Sequence, residues 1–449
     1  MSEFFNKILH INCPQIVLRQ NSSNSPKVYR GSGLITRINQ RNLELELSYC
    51  DDDSWSSILK HLESLGEKQG NVTVVGDKSA GIGKIVQETE YFSLSATDEQ
   101  DRKWVSQKVL ITNRQFSANK ITLTAKLFEI QHSAYISSQE EASMRIYLSQ
   151  NINIPYSNRI KTGEYVANFL ACGYNFYIIS CNENTIIKIE SIDKKLPNLI
   201  ETKVCEALQF ITGDLVAWSS LEVYQESQMS IRIRSLAKSN NHTKKRPPIR
   251  FEKLYTKKDV WELYEKYLNY ILNYSDEELH PISGWIRRIV EARTQYLEAE
   301  MLTLSVAVES LVGMDDFKDF FKKEKTNSIK SQILLIENCI KELYLEDSFK
   351  KRLKGFMDNM NSVSATDKLK KLVDKGLVDE SLTKAWKKIR NKAAHGYILK
   401  PGELNKNLKF CNQVTVLFHH LVFILIGYKG KYTDYSEDGW IKKSFNASH

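Results

Sequence analysis

The stretch Leu43-Glu44-Leu45-Glu46-Leu47-Ser48-Tyr49 alternates apolar and polar side chains. Successive side chains of a β-strand point to opposite faces, so this alternation predicts a strand with one buried face. Many short strands with few helices favour a β-sandwich or a curled sheet over a parallel α/β fold. Similar runs, separated by Gly, Asn, Asp and Ser, occupy residues 15–19, 28–38, 71–75, 105–112, 120–130, 175–180, 185–189, 215–223 and 230–233, with one helix predicted around 198–211.

The character of the sequence changes at residues 235–250, SLAKSNNHTKKRPPIR, which have a Pro-Pro pair and no apolar period. This composition is typical of a linker. Downstream, apolar residues recur at helical spacing, and helices are predicted at 257–274, 297–313, 333–343, 366–375, 382–393 and 403–427. We predict an α+β protein with a β-rich, sandwich-like N-terminal domain (1–240), a basic linker (241–256) and an all-α helical bundle (257–449).

The charge of the chain is unevenly distributed. Its 449 residues carry 63 Lys and Arg against 54 Asp and Glu, a net charge of +9, and 42% are hydrophobic, which excludes a disordered or fibrous protein. Residues 1–240 hold 26 basic and 26 acidic side chains, whereas residues 241–449 hold 37 and 28. The whole excess lies in the predicted helical half, where an anionic partner such as nucleic acid is expected.

The seven cysteines are scattered and include no C-x-x-C pair that would suggest zinc or redox chemistry. The N-terminus, MSEFFNKILHINC, lacks the basic and apolar regions of an export signal. The longest apolar stretch, 414–428, is shorter than a membrane span and contains His419 and His420. We therefore expect a reduced cytoplasmic protein with no membrane segment.

The segment that carries chemistry is Arg390-Asn391-Lys392-Ala393-Ala394-His395-Gly396-Tyr397. The bare pattern of Arg, four residues and His is expected about 0.3 times by chance in a chain of this composition. Requiring Asn directly after the Arg and Tyr two residues after the His lowers that expectation to roughly one in a thousand. Asn391 and His395 are one helical turn apart, so a hydrogen bond between them would fix the imidazole.

Two interpretations of this segment are open. In the structural one, His395 lies at the negative end of a helix dipole and Arg390 forms a surface ion pair. In the functional one, Arg390 neutralises a phosphate and His395 exchanges a proton near neutral pH. Those are the two requirements for cleaving RNA without a metal, namely removal of the 2′-hydroxyl proton and stabilisation of charge on phosphorus.

The motif and its surroundings resemble the HEPN superfamily, whose ribonuclease members carry Arg, four to six residues and His near the end of a helix in a C-terminal bundle. Tyr397 matches the longer form of that motif. Residues 303–313 and 427–440 look like the ApeA-like branch, in which a β-rich domain precedes the bundle in bacterial anti-phage proteins. The resemblance is specific over about residues 285–440, and over residues 1–240 it rests on architecture.

The resemblance implies a metal-independent endoribonuclease without cofactors that leaves a 2′,3′-cyclic phosphate and a 5′-hydroxyl. Arg390 would hold the scissile phosphate, His395 would be the general base or acid, and Asn391 would orient the site. Tyr397 would support the site, and the predicted RNA contacts are Lys387, Lys388 and Lys392. Glu309, on an earlier helix, would either pair with Arg390 or remain an exposed carboxylate, and both are open.

The resemblance also implies a homodimer through the HEPN domain, with two Arg and His sets facing one cleft. Its expected partners are RNA, with host tRNA or other structured RNA as the substrate class, and a phage-derived trigger at the N-terminal domain. The expected role is abortive-infection defence in the cytoplasm. The alternative is a non-catalytic HEPN-type protein that dimerises, binds nucleic acid or acts as an adaptor.

Overall fold

The computed structural model describes part of the chain, and the statements below concern that part. It divides into an N-terminal unit, Met1–Glu201 with Val216–Ser239, and a helical unit, Thr202–Leu215 with Asn240–His449. The protein is α+β, with a β-rich N-terminal part and a helical C-terminal region. The described residues are 8–21, 24–38, 42–49, 88–117, 120–137, 141–152, 154–155, 158–159, 165–181, 184–191, 195–236, 245–250, 257–275, 277–321, 327–342, 344–361, 364–394, 398–400 and 402–446.

The described strands of the N-terminal unit form one antiparallel sheet. Their alternation places one face in a core, as Ile35, Leu45 and Ala125 show: they are neighbours across three strands and all are fully buried. The strands are β1 Leu9–Gln20, β2 Val28–Ile38, β3 Asn42–Tyr49, β4 Tyr91–Thr97, β5 Lys103–Ser117, β6 Lys120–Leu127, β7 Glu129–Tyr135, β8 Ser143–Leu148, β9 Asn158–Arg159, β10 Tyr165–Ala171, β11 Tyr174–Cys181, β12 Asn184–Glu190, β13 Trp218–Gln225 and β14 Gln228–Arg234.

Part of this sheet closes on itself. The strand order begins β4-β1-β2-β3-β6-β5, and β4 also pairs with β5, so these six strands form a barrel. From β5 the sheet continues through β7, β14, β13, β8, β12, β11 and β10 to β9. The predicted sandwich is therefore a barrel that continues into an open sheet. Alternation predicts which face of a strand is buried but not which strand lies beside it, so closure by β4 and β5 could not be predicted.

The alternating runs mark most described strands correctly, with three differences. The run predicted at 120–130 is two strands, because the chain turns at Phe128 between β6 and β7. Strands β4, β8, β9 and β10 were not predicted. The run at 71–75 lies outside the described residues. The predicted helix at 198–211 is confirmed as α1, Ile200–Thr212.

The helical unit contains the predicted helices and three that were not predicted, α3, α5 and α7. A short hairpin of strands β15 Gly430–Asp434 and β16 Ile441–Phe445 follows the last helix. The remaining helices are α2 Lys257–Leu272, α3 Pro281–Ala292, α4 Leu297–Gly313, α5 Lys318–Phe321, α6 Asn327–Glu342, α7 Asp347–Asn361, α8 Ala365–Asp374, α9 Glu380–Ala394 and α10 Leu404–Leu425.

Most of α1 belongs to the helical unit, although it lies in the chain between β12 and β13 of the N-terminal unit. It packs on α2, where the Tyr267 hydroxyl donates to the Glu206 carboxylate and the Phe210 ring stacks on Tyr267 at 4.7 Å. Burial raises the pKa of Glu206 to about 7. In the chain, α1 stands between two strands of the N-terminal unit. Its place in the helical unit therefore could not be predicted from the sequence.

The described middle of the predicted linker is buried in the helical unit. Arg246 pairs with the Glu300 carboxylate, which also accepts from Arg293 Nε at 3.1 Å. All three side chains are nearly inaccessible to solvent. Two further bonds anchor the segment, from the Thr433 backbone N–H to the carbonyl of Pro248 and from the Tyr435 hydroxyl to that of Pro247. Lysine and proline content suggested an exposed tether, but specific partners on α4 and the hairpin hold these residues inside.

Helix α10 is a central helix of this unit. Among the described residues it is the single helix long and apolar enough to cross a membrane, and 67% of its most apolar window is buried. Leu417 and Phe423 on it are fully enclosed by protein. A buried core helix passes the same test of length and composition, so α10 is weak evidence for a membrane span.

Candidate functional site

Helix α9 positions the motif through its buried face. Leu382, Ala385, Trp386 and Ile389 are buried, at the spacing of one helical stripe. The Trp386 indole N–H donates to the Ser305 carbonyl of α4 at 3.0 Å, which locks the two helices together. With this face in the core, the opposite side of α9 is exposed and carries Lys387, Lys388, Arg390 and Asn391.

Arg390 and Glu309 form the next contact between these helices. Arg390 Nε donates to Glu309 Oε2 at 2.9 Å and Nη2 donates to Oε1 at 3.1 Å, a two-bond fork. Both side chains are more than two-fifths exposed, at 44% and 43%. The sequence left open whether Glu309 is paired, and the structure shows that it is.

The pairs Trp386–Ser305 and Arg390–Glu309 are both four residues apart along α4 and α9, in the same sense. The two helices therefore run in the same direction here, and one turn separates the buried contact from the exposed one. The buried contact fixes the helices, and the exposed contact orients the guanidinium.

The fork leaves Arg390 able to bind an anion. A guanidinium has five N–H donors, and Glu309 takes one from Nε and one from Nη2. The Nη1 group makes no contact among the described residues, so three donors remain for a phosphate. The hydrogen bond that Arg390 donates to the Glu309 carboxylate raises the pKa of Arg390 above its ordinary value, so the side chain stays charged. The guanidinium carbon also lies 5.7 Å from the Trp386 ring centroid.

The other predicted residues lie in three different situations. Lys387, Lys388 and Asn391 are exposed on α9. Lys392 is half-buried: its Nζ donates to Asn407 Oδ1 at 3.1 Å and lies 3.8 Å from a Glu403 carboxylate oxygen on the approach to α10. The predicted general base His395 and the supporting Tyr397 lie outside the described residues.

An apolar ridge on α4 borders the Arg390–Glu309 pair. Leu302 and Val306 are exposed, at 48% and 40%, two turns and one turn before Glu309 respectively. Tyr296, before α4, and Ile398, after α9, are about four-fifths exposed. The ridge is thus an apolar surface beside a charged site, of the kind that marks a protein interface.

Sequence reasoning missed Lys406 and Lys409 on the first turns of α10. Both are exposed, and Phe410 beside them lies under Lys388, whose Nζ is 5.0 Å from the ring centroid. The lysines stand in the polar segment Leu404-Asn405-Lys406-Asn407-Leu408-Lys409. Their positive charge was visible in the sequence as a possible anion contact. Only the packing of α10 against α9 shows that they lie beside the helix that carries Arg390.

The histidine pair of α10 is buried within the aromatic core. His420 lies 4.7 Å from the Tyr432 ring and 4.8 Å from the Phe445 ring, measured between centroids. Burial lowers the pKa of His420 to about 4. Among the described residues, no three His, Cys, Asp or Glu side chains lie close enough together to hold a metal ion.

Comparison of the chain with family models, curated proteins and solved structures gives no match. Function must therefore be argued from the motif, the charges and the geometry of the Arg390 site.

Proposed function

We propose that the protein is a metal-independent HEPN endoribonuclease that cleaves host RNA, with tRNA as the substrate class. The observation that carries the proposal is the state of Arg390. It is exposed near the end of α9, oriented by Glu309 through two bonds, and retains three free donors. An exposed arginine that a carboxylate already orients can direct its remaining donors to a phosphate without further ordering of the side chain.

The chemistry fits the residue types of the motif. The ribose 2′-oxygen attacks the adjacent phosphorus and the bond from phosphorus to the 5′-oxygen breaks, giving a 2′,3′-cyclic phosphate and a 5′-hydroxyl. His395 takes the 2′-hydroxyl proton or supplies a proton to the leaving 5′-oxygen. Arg390 neutralises the charge that develops on the phosphate oxygens. Asn391, four residues before His395 in the sequence, orients the imidazole, and Tyr397 supports the site.

Dimerisation is part of the proposal. The apolar ridge of Leu302 and Val306 lies beside Glu309, so a second copy seated on this ridge would bring two Arg390 side chains to one cleft. Two histidines would then be available, one to remove a proton and one to donate a proton.

We place the enzyme in bacterial anti-phage defence in the cytoplasm, with the β-rich unit as the part that responds to a phage-derived trigger. Uncontrolled cleavage of cellular RNA would kill the host cell, so the nuclease needs restraint. The support here is the architecture: a separate β-rich unit with almost no net charge precedes the basic helical unit.

The alternative is a non-catalytic protein whose helical unit dimerises or binds nucleic acid. Exposed Arg390 and its basic neighbours would serve that role equally well, since binding does not need a proton-transfer group. The two functions differ in what they require of His395.

The experiment that separates them uses purified protein and total tRNA. We expect cleavage that persists in EDTA and is lost in Arg390→Ala and in His395→Ala, with circular dichroism showing folded variants. Activity retained by both folded variants would exclude the proposed site. Activity abolished by EDTA and restored by magnesium would exclude Arg and His chemistry.

A further inference from the structure

Helices α9 and α10 pack antiparallel, and exposed lysines flank their junction on both helices. Lys388 contacts Phe410, and one turn later Lys392 contacts Asn407, so residue numbers rise on α9 as they fall on α10. Lys406 precedes Phe410 by four residues and shares its side of α10. We call Lys387, Lys388, Lys406 and Lys409 the lysine stripe.

The charge of the lysine stripe is not neutralised. All four side chains are exposed, and none has an ion-pair partner in the part of the chain that the structure describes. Neighbouring lysines differ: Lys384 Nζ lies 2.9 Å from Glu380 Oε2, and Lys392 is held by Asn407 and Glu403. Four unpaired cations on two adjacent helices attract a polyanion.

The opposite side of Arg390 is unsuited to phosphate. There the guanidinium meets the Glu309 carboxylate, and beyond it lie Leu302 and Val306 of the apolar ridge. A phosphate approaching over α4 would meet a negative charge and then apolar surface. The α10 side of α9 therefore carries positive charge, whereas the α4 side carries a carboxylate and apolar side chains. An anionic substrate is expected to approach Arg390 from the α10 side.

We propose that a single RNA strand reaches Arg390 from the α10 side, with its phosphates on the lysine stripe. This inference rests on the proposed ribonuclease function and adds the path and the strandedness of the substrate. In-line attack by a 2′-oxygen needs a nucleotide free to leave the stacked helical geometry, which a loop or unpaired segment allows. Lys406 and Lys409 are then substrate-binding residues, and Lys392 is a structural one.

The test measures binding without cleavage, in the full-length protein. A fluorescein-labelled 2′-O-methyl RNA 12-mer lacks the attacking hydroxyl, so fluorescence anisotropy reports affinity alone. The variant is Lys406→Gln/Lys409→Gln. The matched control is Lys429→Gln/Lys431→Gln, which removes two exposed lysines at the β15 end of the same unit.

Each phosphate contact on a single strand contributes about 0.7 to the slope of log affinity against log salt. We expect the stripe variant to lose about 1.4 from that slope and about 20-fold in affinity at 0.1 M NaCl. The control should stay within about twofold of wild type.

Three results would overturn the inference. If the stripe variant binds like wild type while Arg390→Ala still abolishes cleavage, the path is wrong and the ribonuclease proposal stands. If wild-type protein neither binds the oligonucleotide at low salt nor cleaves tRNA, the proposed function fails and the path fails with it. An equal loss of affinity in the stripe variant and in the control would show that RNA is held by general charge attraction. That result would also contradict a defined path.

Discussion

Glu309 and Arg390 lie 81 residues apart in the sequence, yet their side chains form a two-bond fork between parallel stretches of α4 and α9. Exposed ion pairs of this kind contribute about 0–1 kcal/mol to stability. The fork is therefore of little use for holding the fold together. Its value lies in the orientation it gives the guanidinium, which makes Glu309 a positioning residue.

Glu309→Gln should reduce RNA cleavage while leaving stability almost unchanged. The amide keeps the size of the side chain but offers one acceptor in place of two, so the fork is lost. We expect kcat to fall about 10-fold, with a change below about 1 kcal/mol in the free energy of unfolding. Steady-state kinetics and urea unfolding measure the two effects. A kcat equal to that of wild type would show that Arg390 needs no orientation by Glu309.

Glu300→Gln should have the opposite profile, with a large effect on stability. Glu300 is the shared carboxylate between buried Arg246 and Arg293, and its loss leaves two buried cations without a counter-charge. We expect a loss of about 3–5 kcal/mol in urea unfolding. Glu309→Gln is the matched control, since it removes one carboxylate from an exposed pair with arginine. Equal costs for the two variants would contradict the burial of the triad.

Gly213→Ala should destabilise the helical unit more than Gly376→Ala. Both glycines have positive φ, +65° and +68°, so both variants carry the left-handed backbone penalty of about 1–2 kcal/mol. A Cβ at Gly213 would also lie 2.9 Å from the Pro247 nitrogen, whereas one at Gly376 meets nothing within 4 Å. We expect about 3 kcal/mol for Gly213→Ala and about 1 kcal/mol for Gly376→Ala, by urea unfolding. Equal losses of stability in the two variants would mean that Pro247 does not lie against the end of α1.

Stability should fall as the pH drops below 6.5, because of His420. Burial lowers the pKa of this imidazole from 6.5 to about 4 in the folded protein, although Asp434 and Asp379 oppose the shift. A histidine whose pKa is lower in the folded than in the unfolded protein stabilises the fold at pH values above its unfolded pKa. That contribution is lost as the pH falls toward 4. One pKa unit corresponds to about 1.4 kcal/mol, so the contribution is about 3 kcal/mol.

The measurement is the free energy of unfolding between pH 7.5 and 4 for wild type and His420→Phe. The variant keeps an aromatic ring among Tyr432 and Phe445, so its pH dependence should be shallower by about 3 kcal/mol across this range. Exposed His10→Asn is the control, and its pH dependence should match that of wild type. Identical curves for wild type and His420→Phe would mean that folding does not lower the pKa of His420.

The sequence predicted those parts of the fold that depend on local periodicity. The alternation in β3 and the helical stripe of α4 follow from which face is buried, and both elements were predicted within about a residue. Pairing of β4 with β5 and the place of α1 in the helical unit depend on partners distant in the chain. No local pattern encodes those partners, so the barrel and the two-part helical unit were missed.

At the candidate site, the residue types were readable but their contacts were not. The motif drew attention to Arg390, and the fork with Glu309 required knowing that α4 lies beside α9. The resemblance implied Lys392 as an RNA contact, whereas a hydrogen bond to Asn407 engages it within the protein. Lys406 was missed because it comes near Lys388 only when α10 packs on α9.

The central claim is that Arg390 and His395 cleave RNA, and sequencing of RNA 5′ ends tests it most directly. RNA would be taken from cells expressing the wild-type protein or His395→Ala at equal protein level, and 5′-hydroxyl ends would be captured and mapped. The account predicts new 5′-hydroxyl ends within tRNA, in loops or other unpaired segments, for the wild type alone. The same ends in both samples, or no new ends under conditions in which the wild type arrests growth, would contradict it.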